Sequence, residues 1–329
     1  MKALVYKGPE RFDFQDMPDP VPFADEQVVE VDSVGICGSD MHAFLGHDER
    51  RSAPLILGHE VSGTILEGEQ KGLRVTVNPL IVCGKCLACL SGRDNLCSDR
   101  KIISMPPKEG GFAQYISMRK ENLTLVPEGF SLEKACMVEP VACGWHAVKL
   151  AKRVLGIQLA DIQALVIGGG AIGVGSALSL IAQGIHNVTL IEANEMRRDF
   201  LNLREVFSVK APESLADNAK FDLVIDGVGV AHSRATASKA IRPGGAILHI
   251  GLGSSEGGLD IRRATLQEIC FIGSYTYTAA DFWSAAAAIF EGRLGKFDWY
   301  ETRPLENGPE AFADLQSGKV AAPKIILKP

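Results

Sequence analysis

Four of the eight cysteines lie in one short loop, and this cluster constrains the fold more than any other feature. They are Cys83, Cys86, Cys89 and Cys97, at intervals of three, three and eight residues. Disulfide frameworks belong mainly to small secreted domains, whereas this chain has 329 residues and shows no signal-peptide pattern. The spacing instead predicts a loop that wraps one structural zinc ion in four thiolates. The alternative is two disulfides or unrelated free thiols.

A second group of metal-binding side chains is spread over three segments. Cys37 and His42 follow a β-branched stretch, His59 and Glu60 follow a short loop, and Glu139 lies in an apolar helical stretch. A catalytic zinc takes three protein ligands and keeps one position open for water or substrate. Taken singly, a lone His is more often a surface residue and a lone Glu on a helix more often faces water. Together with the cysteine loop, these residues predict a catalytic metal.

A glycine-rich turn predicts a dinucleotide site. Gly168, Gly170 and Gly173 directly follow an apolar strand, and a helix begins at Ala171 and Ile172. In such a turn the first glycine allows the tight bend and the second lets the backbone approach a pyrophosphate. The third lets helix and strand pack closely. The helix N-terminus would then face the phosphates.

The residues after the second strand of this region favour NAD over NADP. Glu192 ends that strand, where a carboxylate can accept hydrogen bonds from the adenosine ribose and repels a 2′-phosphate. Arg197 and Arg198 leave NADP open, because either could pair with such a phosphate. Arg197 could instead lie against the adenine.

The chain changes character along its length. Residues 1 to about 130 contain short β-branched segments separated by Gly and Pro, which predicts a β-rich domain. A helix should begin after Ser131 and continue to about Arg153. After Asp161, apolar strands alternate with helical segments, which predicts a parallel sheet covered by helices.

Charge and hydropathy exclude several kinds of partner. The net charge is −6, and the 34 basic residues are scattered rather than clustered. Binding to nucleic acid or to an anionic membrane surface is therefore not expected. No uncharged apolar run reaches the roughly 18 residues of a membrane helix. We expect a soluble, cytoplasmic protein.

These motifs, in this order, resemble the zinc-containing medium-chain dehydrogenase/reductase family over essentially the whole chain. The most specific elements are Cys37 to Asp40 with His42, Gly58 to Glu60, the four-cysteine loop and the turn from Gly168 to Gly173. The resemblance implies an α/β protein. Residues 1–145 and 281–329 would form a GroES-like catalytic domain, and 146–280 a Rossmann NAD-binding domain with a doubly wound parallel sheet.

The resemblance also implies roles. The catalytic zinc ligands fall on Cys37, His59 and either Glu60 or Glu139, so each chain would bind two zinc ions and NAD. Glu139, in place of the second cysteine of alcohol dehydrogenases, is similar to the sorbitol, threonine and sugar-acid branch. Ser39 and His42 resemble the relay that carries the alcohol proton to solvent, and Asp40 resembles the partner of a ligand histidine.

The expected activity is hydride transfer between NAD and a secondary alcohol of a polyol, sugar alcohol or sugar acid. Alternatives are a threonine-type or simple-alcohol dehydrogenase, a zinc-free quinone reductase, and a non-catalytic NAD-binding scaffold with only the structural zinc. Thr276 stands where sorbitol dehydrogenases usually carry Arg, which argues against sorbitol itself. The segment Phe271 to Tyr275 resembles the edge strand through which family members pair, so a homodimer or homotetramer is expected.

Overall fold

The computed structural model describes residues 1–156, 161–204 and 207–329. These residues divide into two compact units. The first unit comprises Met1–Glu139, Thr278–Glu291 and Phe297–Pro329, and the second comprises Pro140–Tyr277 and Gly292–Lys296. The boundaries expected from the sequence, 1–145 with 281–329 and 146–280, stay a prediction. Within the described ranges, no helix has both the length and the apolar character needed to cross a membrane.

The N-terminal part of the first unit is built mainly from short strands. They are β1 (Lys2–Gly8), β2 (Arg11–Asp16), β3 (Glu26–Gly35), β4 (Leu55–Ile56), β5 (Glu60–Ile65), β6 (Arg74–Val77), β7 (Leu80–Ile81), β8 (Lys101–Ile102), β9 (Tyr115–Arg119) and β10 (Leu123–Leu125). Two short helices interrupt them, α1 (Gly38–Phe44) directly after β3 and α2 (Leu87–Leu90) in the cysteine loop.

The helix expected between Ser131 and Arg153 is divided in two. Helix α3 (Leu132–Cys136) ends at Met137, and α4 (Val138–Leu155) follows at once. Pro140 explains the break, because its ring would clash with the carbonyl of Cys136 in one continuous helix and it has no N–H to donate. Ser131 caps α3 as expected, since its hydroxyl accepts the backbone N–H of Lys134 at 3.1 Å.

The second unit contains a sheet of six parallel strands. Its elements, in chain order, are β11 (Gln163–Ile167), α5 (Ala171–Ala182), β12 (Asn187–Ile191), α6 (Glu195–Asn202), β13 (Ser208–Lys210), β14 (Phe221–Asp226), α7 (Ala231–Ala240), β15 (Ile241–His249), α8 (Ile261–Leu266) and β16 (Cys270–Gly273). The spatial order is β13-β12-β11-β14-β15-β16, with the first strand in the centre. This is the doubly wound order that binds dinucleotides where the order reverses, and it confirms the expected fold class.

The C-terminal elements include two strands that complete the larger sheet of the first unit. They are α9 (Ala279–Phe290), β17 (Tyr300–Pro304), α10 (Gly308–Gln316) and β18 (Lys324–Lys328). The sheet has the order β10-β6-β5-β3-β18-β17, and β9 also pairs with β3. Strand β3 therefore lies between β5 and β18, and the segments that follow or precede these strands meet at one edge.

A buried aromatic cluster fixes the position of α1. Phe44, at the end of α1, stacks on Phe12 at 5.5 Å between ring centroids and contacts Phe312 of α10 at 5.2 Å. Phe112 completes the cluster at 6.0 Å from Phe312. Large buried rings contribute much of the packing energy of a core. The helix that carries Ser39 and His42 is thus anchored at its far end.

Candidate functional site

Cys37 lies in the turn between β3 and α1. Its backbone N–H donates to Oδ2 of Asp40 at 3.0 Å, and its carbonyl accepts the backbone N–H groups of Asp40 and Met41. Asp40 is fully buried, whereas the Cys37 side chain is partly exposed. These hydrogen bonds therefore hold the backbone of the turn, and the Cys37 thiol remains accessible.

Strand pairing brings His59 and Glu60 to the same place. Glu60 begins β5 and pairs with Gly35 at the end of β3. A Cβ at residue 35 would lie 1.9 Å from Oε2 of Glu60, so glycine at this position makes room for the carboxylate. One ligand atom each of Cys37, His59 and Glu60 lie within 4.8 Å of one another. Three of the four side chains expected at a catalytic metal thus meet in the structure.

A buried lysine from the last strand joins this group. Nζ of Lys324 donates to Oε1 of Glu60 at 2.6 Å and to the backbone carbonyl of Ile36 at 2.8 Å. Its side chain is 2% exposed and that of Glu60 is not exposed at all. Sequence reasoning missed Lys324, because 264 residues separate it from its partner and it precedes an apolar run that reads as an ordinary strand.

The charges around His59 show that the group favours a cation. Burial lowers the pKa of His59, but the Asp40 carboxylate, 3.5 Å from Nδ1, and the Cys37 thiolate raise it well above its usual value. Burial raises the pKa of Asp40, but His59 and Arg51 bring it below its usual value. Oε2 of Glu60 is buried and accepts no hydrogen bond within the described ranges. Thiolate, imidazole and an available carboxylate oxygen fit a zinc ion, and a carboxylate behind the histidine is the usual support for such a ligand.

Glu139 is buried in the first turn of α4 but does not belong to the three-residue group. Burial lowers the pKa of Lys324, but the carboxylates of Glu60 and Glu139 are among the charges that raise it above its usual value. Glu139 therefore lies within electrostatic reach of Lys324.

Ser39 and His42 both lie on α1 and both are partly exposed. The Ser39 hydroxyl accepts a hydrogen bond from Nη2 of Arg51 at 3.3 Å. His42 faces His47, with 6.5 Å between ring centroids. Sequence reasoning missed Arg51, because nothing in the pair Arg50-Arg51 indicates which side chain is buried.

The four-cysteine loop also fits a metal. Sγ atoms of Cys86 and Cys89 are 3.5 Å apart, and those of Cys83 and Cys89 are 3.9 Å apart. Four sulfurs at about 2.3 Å from one tetrahedral ion would lie about 3.8 Å from each other. The four sulfurs lie within 4.8 Å of one another, and all eight cysteines are free thiols, so the disulfide alternative finds no support.

The thiols of this loop affect each other strongly. A backbone hydrogen bond from Cys89 is the largest influence that lowers the pKa of Cys86, to about 6. Burial and the neighbouring sulfurs raise the pKa of Cys89 to about 12. Once one thiolate has formed, the next is opposed by its charge, so four thiolates require a cation between them.

The glycine-rich turn has the geometry that its sequence indicates. Gly168 has φ +98°, and Gly170 is the N-cap of α5, whose first residues are Ala171 and Ile172. A Cβ at Gly173 would lie 1.7 Å from the carbonyl oxygen of Gly168, so no side chain fits there. A Cβ at Gly170 would meet nothing within 4 Å, so the space in front of the helix is open.

Glu192 is buried beside this turn. Its carboxylate accepts the backbone N–H of Gly169 at 2.5 Å and that of Asn194 at 2.7 Å. Asn194 is the N-cap of α6 and accepts the backbone N–H of Arg197. Arg198 donates to the carbonyls of Glu192 and Ala193. The carboxylate is therefore fixed between the turn and α6.

Two family models match the chain. The alcohol dehydrogenase GroES-like domain matches residues 24–128, and the zinc-binding dehydrogenase model matches residues 171–291. The first covers the β-rich part that carries both cysteine-containing groups. The second covers most of the parallel sheet.

Similar proteins extend these matches over the whole chain. L-galactonate-5-dehydrogenase of Escherichia coli (strain K12) is 30% identical, over 89% of this chain and 88% of its own length. Sorbitol dehydrogenase of Halalkalibacterium halodurans is 31% identical, over 100% and 99%. The structure of acetophenone reductase from Geotrichum candidum NBRC 4597 in complex with NAD has a TM-score of 0.88 and 26% identity, covering 100% of this chain and 97% of that one. The resemblance expected from the sequence is confirmed: the chain belongs to the zinc-binding medium-chain alcohol dehydrogenase family and is an oxidoreductase that acts on CH–OH donors with NAD(P).

Proposed function

We propose that the chain transfers a hydride between NAD and a secondary alcohol of a polyol, sugar alcohol or sugar acid, with a zinc ion held by Cys37, His59 and a carboxylate. The group of thiol, imidazole and carboxylate within 4.8 Å carries this proposal. The unpaired Oε2 favours Glu60 as the third ligand. Glu139, buried and within electrostatic reach of Lys324, stays the alternative.

The names of the relatives support the substrate class. One relative is an L-galactonate-5-dehydrogenase and another a sorbitol dehydrogenase, and both substrates carry several hydroxyl groups. Thr276 stands where sorbitol dehydrogenases usually carry Arg. We therefore expect a substrate other than sorbitol to be preferred.

The site residues of the first unit each have a proposed task. When bound, zinc is a Lewis acid that lowers the pKa of an alcohol oxygen. Ser39 takes the alcohol proton and His42 passes it towards solvent, which both side chains reach. Asp40, whose Oδ1 lies 3.5 Å from Nδ1 of His59, is proposed to orient that ring through its charge.

The second unit is proposed to hold NAD, whose nicotinamide ring accepts the hydride. The open space in front of Gly170 and the N-terminus of α5 suit a pyrophosphate. Glu192 is proposed to accept hydrogen bonds from the ribose hydroxyls and to repel a 2′-phosphate with its fixed carboxylate. Arg197 is proposed to lie beside the adenine.

A homodimer or homotetramer is proposed from β16, which ends the described sheet and leaves Phe271 39% exposed. Light scattering would test the oligomeric state.

A substrate panel tests the activity. The zinc-loaded protein is mixed with NAD or NADP and with polyols, sugar acids, threonine or simple alcohols, and reduced cofactor is followed by absorbance. We expect turnover with NAD on a polyol or sugar acid. Turnover only on threonine or simple alcohols would contradict the substrate class, and no turnover on any of them would favour the scaffold.

Two isosteric variants decide the third ligand. Glu60→Gln and Glu139→Gln each remove one carboxylate charge, and bound zinc is then counted. We expect the Gln at the ligand position to lower zinc binding by more than about 10-fold, because the loss of a group that merely supports a ligand already costs about 10- to 100-fold, and the other variant should stay nearer to the unaltered protein.

A further inference from the structure

A buried arginine contacts the serine proposed to take the substrate proton. Arg51 is 4% exposed, and its guanidinium makes four hydrogen bonds to residues that the structure describes. Nε donates to the carbonyl of Ser104 at 2.9 Å, and Nη1 donates to the carbonyl of Ser39 at 3.0 Å and to Asp48 at 2.8 Å. Nη2 donates to the hydroxyl of Ser39 at 3.3 Å. Arg51 therefore holds both the backbone and the side chain of Ser39.

The direction of the last bond follows from chemistry. A guanidinium can only donate, so the Ser39 oxygen must accept from Arg51. A serine hydroxyl has one hydrogen and two lone pairs. With one lone pair occupied, Ser39 keeps one lone pair for an incoming proton and its own hydrogen to pass on. The hydroxyl cannot turn its hydrogen back towards Arg51.

Arg51 also supports the backbone at Ser104, which lies next to Asp40. Ser104 is fully buried with φ +70°, a conformation that few residues other than glycine adopt without support from their surroundings. Its hydroxyl lies 3.5 Å from Oδ1 of Asp40, the carboxylate that holds the Cys37 turn. The bond from Nε of Arg51 to the Ser104 carbonyl keeps this backbone in place. Asp48 balances the buried positive charge, which would otherwise be unfavourable.

We infer that Arg51 is a positioning residue that orients the Ser39 hydroxyl to accept the proton of the substrate alcohol. This inference rests on the proposed function of Ser39. In this role Arg51 does not contact substrate or cofactor, and it acts through Ser39. Arg50 provides a matched comparison, because it also bonds Asp48, at 2.8 and 2.9 Å, but its side chain is 61% exposed.

The test compares Arg51→Lys with Arg50→Lys in the zinc-loaded, full-length protein. Lysine keeps the charge, but one ammonium nitrogen replaces the three separate nitrogens with which the guanidinium reaches Ser104 and both groups of Ser39. We expect Arg51→Lys to lower kcat about tenfold, which corresponds to the loss of one charged hydrogen bond. KM should change less than about twofold. Zinc content should be unchanged, and Arg50→Lys should have the kcat of the unaltered protein. Equal losses in both variants, or no loss in Arg51→Lys, would overturn the inference.

A double-mutant cycle separates positioning from a general structural role. Ser39→Ala should lower kcat by about 100-fold, within the usual range for proton-transfer groups. In the Ser39→Ala background, Arg51→Lys should change kcat less than about twofold, because its effect passes through the missing hydroxyl. An undiminished tenfold loss in that background would show that Arg51 acts elsewhere. If Arg51→Lys does not fold, Asp48→Asn replaces it in the cycle, with the same pattern expected at smaller size and an unchanged kcat counting against the inference.

A crystal structure of Arg51→Lys gives a readout that needs no turnover. The Ser39 side chain should lose its single orientation in this variant and keep it in Arg50→Lys. If no alcohol is oxidised by the unaltered protein, the proposed function fails while this measurement still tests the contact. A Ser39 side chain that is unchanged in Arg51→Lys would overturn the inference on its own.

Discussion

Replacing Lys324 by Met should destabilise the first unit more than a typical lysine substitution does. Lys324 and Glu60 form a buried ion pair of 2.6 Å, with side chains 2% and 0% exposed. Removing one partner of such a pair leaves the other charge buried, which typically costs 3–5 kcal/mol. Because zinc would balance part of the Glu60 charge, we expect about 3 kcal/mol in zinc-replete buffer.

Urea unfolding, followed by fluorescence, measures this effect. Lys2→Met is the matched control, since Lys2 pairs with Asp16 at 2.8 Å on the surface, and its unfolding midpoint should not change. Adding Glu60→Gln to Lys324→Met should recover about 1 kcal/mol or more, because it removes the uncompensated charge. A loss below about 1 kcal/mol for Lys324→Met, or strictly additive effects, would refute the reasoning.

The remaining predictions concern the cofactor turn and an ion pair. Gly173→Ala should abolish NADH binding in a fluorescence titration, because its Cβ would lie 1.7 Å from the Gly168 carbonyl, and binding like that of the unaltered protein would contradict the assigned geometry. Gly170→Ala should fold with the same melting temperature, because its Cβ meets no atom within 4 Å, yet bind NADH more weakly if a pyrophosphate occupies that space. Burial raises the pKa of Glu133, but hydrogen bonds from Lys328 and Ser131 lower it to about 2, so its stabilising effect is present above the usual value of 4.5 and is lost as pH falls towards 2. With the Glu133 side chain 30% exposed, Glu133→Gln should cost about 1 kcal/mol at pH 7. In urea unfolding, this difference from the unaltered protein should begin to shrink below pH 4.5 and be lost near pH 2, and a difference that is independent of pH would argue against the pairing.

Local patterns predicted much of this fold. The four-cysteine spacing and the glycine turn each involve neighbours in sequence, so their geometry follows from the residues themselves. The parallel sheet was also indicated, although β13 was missed, because Ser208–Lys210 is three residues long and has one buried side chain. The division between α3 and α4 could have been expected from Pro140, whose effect on the preceding turn is general.

Sequence patterns could not predict contacts between residues that are far apart in the chain. Lys324 and Glu60 are neighbours only because β18 and β5 both pair with β3. Arg51 is buried and Arg50 exposed, although the two residues are identical and adjacent. Such differences depend on packing, which places Arg51 against the carbonyls of Ser39 and Ser104.

Zinc analysis of the unaltered protein and of Cys37→Ser tests the central claim most directly. The unaltered protein should contain two zinc ions per chain. Cys37→Ser should contain one, bind NADH as before and show no turnover on the alcohol that the unaltered protein oxidises. A single zinc in the unaltered protein, or two zinc ions with full activity in Cys37→Ser, would contradict the account.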